Sequence, residues 1–254
     1  MLFRSADEAE AEALGACDDL RPWMRREFGW PLAELGTIRL RRGDLDGASE
    51  AFTAAHEHVW CPHPGMALVH LARGDAQTAL TLIRDAIEHP FRTPSKERPP
   101  FGDLALAPLL EAQVEIAASL GDATTARGAT TRLQAVADTY ASPWLDASAA
   151  LARARLALLD GDPDRATDYA ELAVGTWAEI GAPFETAVAR ATLADAHTRS
   201  GRLEAASLER QAAINGFERY GATARARELR TGGDAKPETE RAPLPATFRL
   251  VGEI

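Results

Sequence analysis

Five of the six histidines fall in one part of the sequence, where they could bind a metal ion. Together with a cysteine they form the set His56, His58, Cys61, His63, His70 and His89. Histidine and cysteine are the ligands that zinc prefers. The spacing does not match a zinc site, because His56 and His58 point to different sides of a helix and no HExxH sequence occurs. We predict a solvated turn and no metal, and keep a metal-dependent activity at this turn as a third hypothesis.

No other arrangement of residue types is typical of an active site. The sequence has no Ser/His/acid or Cys/His order with a nucleophile elbow, and no GxxxxGK[ST] phosphate loop. Adjacent Asp18 and Asp19, and the aspartates of several turns, are better explained as helix caps or surface charge than as an acid/base pair. We therefore predict that the chain is not an enzyme and uses no cofactor.

Charge and hydropathy exclude several kinds of partner. The sequence has 28 Lys+Arg against 38 Asp+Glu, a net charge of -10, and no basic stretch that would attract a polyanion. No apolar run is long enough to cross a membrane, and the first residues turn acidic where a signal peptide would be apolar. Cys17 and Cys61 are too few for a disulfide framework. We predict a cytoplasmic protein with reduced thiols that binds neither nucleic acid nor membrane.

A short motif that occurs five times predicts the fold. Glycine, usually aspartate, three variable positions and alanine recur from Gly43, Gly74, Gly121, Gly161 and Gly201. Glycine suits the left-handed residue that ends a helix, aspartate caps the next helix, and alanine allows two antiparallel helices to approach closely. With only 6% aromatic residues in an alanine-rich chain, the motif predicts an all-α fold of helical hairpins.

The last two repeats share further positions at an offset of 40 residues. These pairs are Pro143 with Pro183, Ala173 with Ala213, Trp177 with Phe217, and residues 180–182 with 220–222. We predict that these two units are structural copies of each other.

Residues of the first unit place the chain near a known repeat. Leu35, Gly36, Gly43, Ala48, Phe52, Ala55 and Pro62 fall close to the spacing of the tetratricopeptide repeat, which the sequence therefore resembles. This resemblance implies a right-handed α-α superhelix, here of about five hairpins preceded by an N-terminal helix. The first helices of the hairpins would line its concave side.

Three longer segments carry a second resemblance. Residues 34–52, 64–68 and 217–229 resemble the repeat region of bacterial LuxR-type, MalT-like regulators, which have an amino-terminal ATPase domain and a DNA-binding helix-turn-helix. Neither domain is recognisable in this sequence. The resemblance implies a non-catalytic sensor or scaffold that binds a protein, a peptide or a small-molecule inducer. The alternative is a stand-alone adaptor that mediates protein-protein interaction or self-association.

The chain divides into three predicted parts. Residues 1–230 form the repeat domain, 231–245 a polar, proline-rich linker, and 246–254 the start of a truncated β segment. The amphipathic helix predicted over residues 5–20 resembles half a repeat. We expect a segment of a longer architecture without capping repeats, whose exposed repeat ends favour a homo-oligomer.

Two surfaces contain the candidate binding residues. On the first helices, the inward positions are Trp30, Thr37, Arg41, Glu111, Glu115, Leu151, Arg155, Asp195 and Arg199. Arg155 and Arg199 would grip a carboxylate of the ligand, or else form salt bridges between successive helices.

The second surface is the long connection over residues 89–103. It contains Phe91, Arg92, Lys96, Arg98 and Phe101, which suit an acidic or aromatic partner. The alternative is that its phenylalanines only pack on the solenoid.

Overall fold

The computed structural model describes residues 5–20, 22, 29–91 and 102–233, and these residues form an all-α fold without strands. The predicted fold class is confirmed. The helices are α1 (Ala6–Leu20), α2 (Gly29–Arg42), α3 (Leu45–Glu57), α4 (Gly65–Ala72), α5 (Ala76–Glu88), α6 (Ala107–Ser119), α7 (Ala123–Tyr140), α8 (Pro143–Leu159), α9 (Pro163–Glu179), α10 (Pro183–Arg199), α11 (Leu203–Tyr220) and α12 (Thr223–Gly233). A short 3-10 turn, Leu104–Leu106, precedes α6.

Helices α2 to α11 form the five predicted hairpins, each with the motif at its turn. The motif glycines have φ between +70° and +89°. Side chains of Asp44, Asp75, Asp122 and Asp162 accept a hydrogen bond from the backbone N–H three residues later, as predicted for caps. The motif alanines are at most 2% exposed, consistent with close contact between the paired helices.

The 40-residue copies have the same packing. Trp177 and Phe217 are each 2% exposed, and each ring meets an aromatic ring at the start of the preceding first helix. Trp144 lies 4.4 Å from Trp177 and Phe184 lies 5.5 Å from Phe217, both edge to face. Trp144 and Phe184 are themselves 40 residues apart, a match that the sequence analysis did not use. The last two hairpins are therefore structural copies.

Glycines in the first unit make room for one large side chain. Phe52 of α3 is 2% exposed and lies between Gly36 of α2 and Gly65 of α4. A Cβ atom on Gly36 would lie 2.7 Å from the Phe52 ring, and one on Gly65 would lie 2.0 Å from it. Only glycine at these two positions lets α2, α3 and α4 pack around the ring.

The two ends of the solenoid pack against each other. Ala6 and Ala9 of α1 and Ile38 of α2 share one apolar cluster with Phe217 of α11 and Ala226 of α12. The single helices α1 and α12 thus bury each other's neighbourhood in place of a capping repeat. The expectation of exposed repeat ends is wrong, because the curvature summed over five hairpins returns the last helix to the first.

Some predictions fall on residues that the structure does not describe. These are the terminal β segment, 246–254, and most of the linker; α12 itself continues three residues beyond the predicted domain end at residue 230. Within the described ranges, no helix is both long and apolar enough to cross a membrane.

Candidate functional site

The concave side of the first helices carries a group of charged side chains, which we call the interior cluster. Its members come from α2, α6, α8, α10 and α12, helices that are far apart in sequence. They are Arg41, Glu111, Glu115, Arg155, Glu185 and Arg225. The repeat positions these residues on neighbouring helices, and closure of the solenoid adds the contributions of α2 and α12.

Arg41 makes the contact that joins the first hairpin to the last. Its guanidinium lies 2.5 Å from Glu185 and 4.5 Å from the centre of the Phe184 ring, both on α10. Burial disfavours the charged form of Arg41, but the charges of Glu185 and Tyr220 outweigh it and raise the pKa of the guanidinium. Arg41 therefore stays charged within an aromatic and anionic pocket.

Glu115 is held between two arginines. Its carboxylate lies 3.3 Å from Arg155 of α8 and 3.3 Å from Arg225 of α12. Burial alone would raise the pKa of this carboxyl, but the two cations outweigh burial and lower it. Glu115 is therefore ionised and satisfied, and it ties α12 to the centre of the solenoid.

Glu111 lies one turn before Glu115 on α6 and has a different environment. Among the described residues it makes no ion pair, and its side chain is half-buried. Burial raises the pKa of its carboxyl, and the effect exceeds the opposing influence of Ser148 and Arg155. Glu185 and Glu115 add repulsion in the same direction. Glu111 is the carboxyl of the interior cluster that lacks a cation of its own.

The structure brings together four of the predicted inward residues: Arg41, Glu111, Glu115 and Arg155. For Arg155 it shows the alternative of a salt bridge between first helices. Trp30 is 42% exposed and precedes Arg41 by eleven residues, three turns along α2, which puts both on one face of the helix.

Asp195 and Arg199 lie apart from the interior cluster, and the prediction that Arg155 and Arg199 share one carboxylate is wrong. Arg199 is exposed and donates to the carbonyl of Leu158, 2.9 Å away, at the end of α8. Helix ends leave such carbonyls without an intrahelical partner, so this contact satisfies a local demand. The cations that act on Asp195 are Arg199 and Arg210.

Little of the predicted loop surface can be described. Phe91 is 37% exposed and meets His56 edge to face at 5.7 Å. Arg92, Lys96, Arg98 and Phe101 lie outside the described residues.

The histidine-rich turn holds no metal-binding group in the part of the chain that the structure describes. Burial lowers the pKa of His63, and its Nδ1 atom is buried without a hydrogen-bond partner there. The turn is thus partly buried, and the prediction of a solvated turn is wrong for His63.

The sequence analysis missed Glu185 and Arg225, although a signal for both exists. At the 40-residue offset they occupy the position of Leu145, which is 5% exposed. A charge at a position that is apolar in the preceding unit indicates a charged partner from another part of the chain. In both cases that partner is a member of the interior cluster.

Comparisons with known proteins address the fold. No protein-family model matches the sequence, and no curated protein matches it. Among solved structures, the chain is similar to the crystal structure of BtubC (BKLC) from P. vanneervenii, at 13% sequence identity and a TM-score of 0.52. The match covers 99% of this chain and 100% of that chain. At this identity the similarity supports a common all-helical architecture and nothing about activity.

Proposed function

We propose that this chain is a non-catalytic binding module whose interior surface receives a segment of a protein or a small-molecule inducer. The observation that supports the proposal is the convergence of six charged residues, from five helices, on the concave side. These side chains keep contact with solvent: 16% of Arg155, 28% of Glu115 and 43% of Arg225 is exposed. Partly exposed charges on a rigid concave surface suit the recognition of a polar ligand.

Binding is favoured over catalysis because most of these charges neutralise one another. Arg41 pairs with Glu185, and Arg155 and Arg225 pair with Glu115. Arginine does not exchange protons at physiological pH, and a carboxylate held by two arginines is a poor base.

The resemblance of residues 16–230 to the repeats of LuxR-type regulators suggests how binding is used. We propose that ligand binding on the interior surface reports to the ATPase and DNA-binding domains of such a regulator. In this role the chain acts as the sensor and leaves nucleotide hydrolysis and DNA recognition to other domains.

An adaptor role is the second candidate, and one feature of the outer surface favours it. Leu172, Leu203 and Leu208, on the outer helices α9 and α11, are 54%, 67% and 73% exposed. Exposed leucines of this kind suit contact with another protein or a second copy of the chain. This surface would replace the exposed ends as the site of self-association.

A cross-linking experiment distinguishes the interior from the outer surface. A photoreactive benzoylphenylalanine replaces Trp30, on the same face of α2 as Arg41, or Leu172 on the outer surface. We expect irradiation in cells to give a discrete adduct from position 30 and none from position 172. A discrete adduct from position 172 alone would favour the adaptor, and equal labelling from both would contradict an interior site.

A further inference from the structure

The structure contains one guanidinium site that the chain fills with its own side chain. Arg41 lies over the ring of Phe184 at 4.5 Å and against the carboxylate of Glu185 at 2.5 Å. An aromatic face and a carboxylate are the two groups that best hold a planar, weakly hydrated cation. The beginning of a first helix in this fold is therefore able to bind a guanidinium group.

The preceding repeat has an equivalent aromatic residue that no cation covers. Trp144 stands 40 residues before Phe184, at the same place on α8, and has the same edge-to-face partner in the second helix. Its side chain is 37% exposed, and no arginine or lysine lies over its ring among the described residues. The aromatic half of a cation site is thus available on α8.

Ser148 links this ring to an unpaired carboxyl. It follows Trp144 by four residues, so the two side chains lie one turn apart on the same face of α8. Ser148 is 4% exposed, and its hydroxyl makes no hydrogen bond of standard geometry within the described ranges. The hydroxyl faces Glu111 closely enough to lower the pKa of that carboxyl. A hydroxyl donated to one oxygen of Glu111 leaves the other free for a ligand.

The charges around Glu111 favour a cationic ligand. The three arginines of the interior cluster are already paired, with Glu185 or Glu115. The nearby acids Glu115 and Glu185 repel the ionised form of Glu111. When Glu111 ionises it is the one unmatched charge among these six residues, and a cation from outside would neutralise it.

We propose that Glu111, Ser148 and Trp144 form a binding site for the guanidinium group of a ligand. In this site Glu111 accepts hydrogen bonds from the guanidinium, Ser148 orients the carboxylate, and Trp144 covers the planar face of the cation. This proposal deepens the proposed function, on which it rests, by giving the chemistry of the ligand. The guanidinium belongs either to an arginine side chain of a protein segment or to a small free molecule.

Calorimetric titration of the full chain with three probes tests this site. Agmatine represents a small free guanidine, acetyl-Gly-Arg-Gly-amide an arginine in a peptide, and acetyl-Gly-citrulline-Gly-amide its neutral isostere. We expect saturable binding of at least one guanidinium probe and none of the citrulline peptide. A preference for the arginine peptide would assign the ligand to a protein segment, and a preference for agmatine to a small molecule.

Variants connect the binding to the named residues. Glu111→Gln should weaken binding of the guanidinium probe about tenfold or more, since it removes the charged acceptor. Trp144→Leu should weaken it roughly threefold, as loss of a cation-π contact does. The matched control is Glu171→Gln, at an exposed glutamate of the outer helix α9, which should leave affinity unchanged. Thermal melting by circular dichroism verifies that each variant is folded.

Two results would overturn the guanidinium site. One is the absence of saturable binding to either guanidinium probe up to about 10 mM, a concentration above the weakest specific affinity expected. The other is equal affinity of the original chain and Glu111→Gln. Neither result contradicts an interior binding surface, because the adduct from position 30 does not depend on the charge of the ligand.

Discussion

Arg41 and Glu185 are separated by 144 residues, yet their side chains meet at 2.5 Å. The pair joins α2 of the first hairpin to α10 of the last, beside the Phe184 ring that Arg41 covers. Since 31% of the Arg41 side chain and 15% of the Glu185 side chain are exposed, the pair is shielded from much of the screening that weakens surface ion pairs. This contact is therefore a main determinant of how the solenoid closes.

Loss of the Arg41 charge should destabilise the fold. Arg41→Met leaves the buried carboxylate of Glu185 without its partner, and we expect a loss of about 2 kcal/mol in the free energy of unfolding. Urea denaturation at neutral pH measures it. The control is Arg73→Met, since Arg73 pairs with Asp46, whose side chain is 92% exposed. That exposed pair should contribute no more than about 0.5 kcal/mol, and an equal loss in both variants would contradict the role of Arg41.

The contact between α12 and the end of α2 is testable with a glycine pair. Gly43 and Gly74 occupy the same motif position, with φ of +89° and +84°, so alanine is strained equally at both. A Cβ atom on Gly43 would lie 2.4 Å from Cβ of Ala224 in α12, whereas one on Gly74 meets no atom within 4 Å. Gly43→Ala should therefore cost about 2 kcal/mol more than Gly74→Ala.

A double variant separates the clash from the backbone strain. Combining Gly43→Ala with Ala224→Gly removes the overlapping atoms, so the combined loss of stability should be smaller than the sum of the two single losses. Additive losses in urea denaturation would show that α12 does not pack on the end of α2.

Two glutamates one turn apart should affect the pH dependence of stability in opposite ways. The pKa of Glu111 is raised in the folded state above its ordinary value of 4.5, because of burial. The folded protein then holds this proton more tightly than the unfolded chain does, and stability falls as pH rises from about 4.5 through the folded pKa. Glu111→Gln should be more stable than the original chain at pH 7, with the difference vanishing at pH values below about 4.

Glu115→Gln is the matched comparison. The pKa of Glu115 is lowered because Arg155 and Arg225 outweigh the opposing effect of burial. Its contribution to stability is present above the unfolded pKa and is lost as pH falls through the folded pKa. Glu115→Gln should therefore be less stable at pH 7. Urea denaturation of both variants between pH 4 and pH 7 measures these effects, and a shift of the same sign at pH 7 would contradict the assigned environments.

Closure of the solenoid should also control self-association. Ala226 of α12 is fully buried in the cluster that joins both ends of the chain. Ala226→Asp places a charge in that cluster, so we expect α12 to detach and uncover the apolar surface around Ile38 and Phe217. Light scattering coupled to size exclusion should show a monomer for the original chain and concentration-dependent association for the variant.

The outer leucines serve as the counterpart in that measurement. If the original chain already associates and Leu208→Ser abolishes it, the outer surface of α9 and α11 mediates self-association instead. If Ala226→Asp stays monomeric at every concentration while remaining folded, closure does not hide an associating surface.

The sequence by itself determined the local structure of this protein. Each hairpin turn depends on residues within six positions of one another, as at Gly121, Asp122 and Ala126: a left-handed glycine, a capping carboxylate and a small residue between two helices. These preferences act within one turn of backbone, and for that reason the all-α class and the five hairpins were predictable. The interior positions of Arg41, Glu111, Glu115 and Arg155 followed from the same periodicity.

Only the tertiary structure decided how the ends meet and which charges pair. The curvature of a solenoid is a small rotation per repeat, and its sum over five units determines whether α12 reaches α2 or leaves it exposed. No local pattern encodes that sum, so the sequence analysis expected free ends and missed Glu185 and Arg225. Once the ends meet, burial and distance select the pairs: Arg41 takes Glu185, two arginines take Glu115, and Glu111 is left for a ligand.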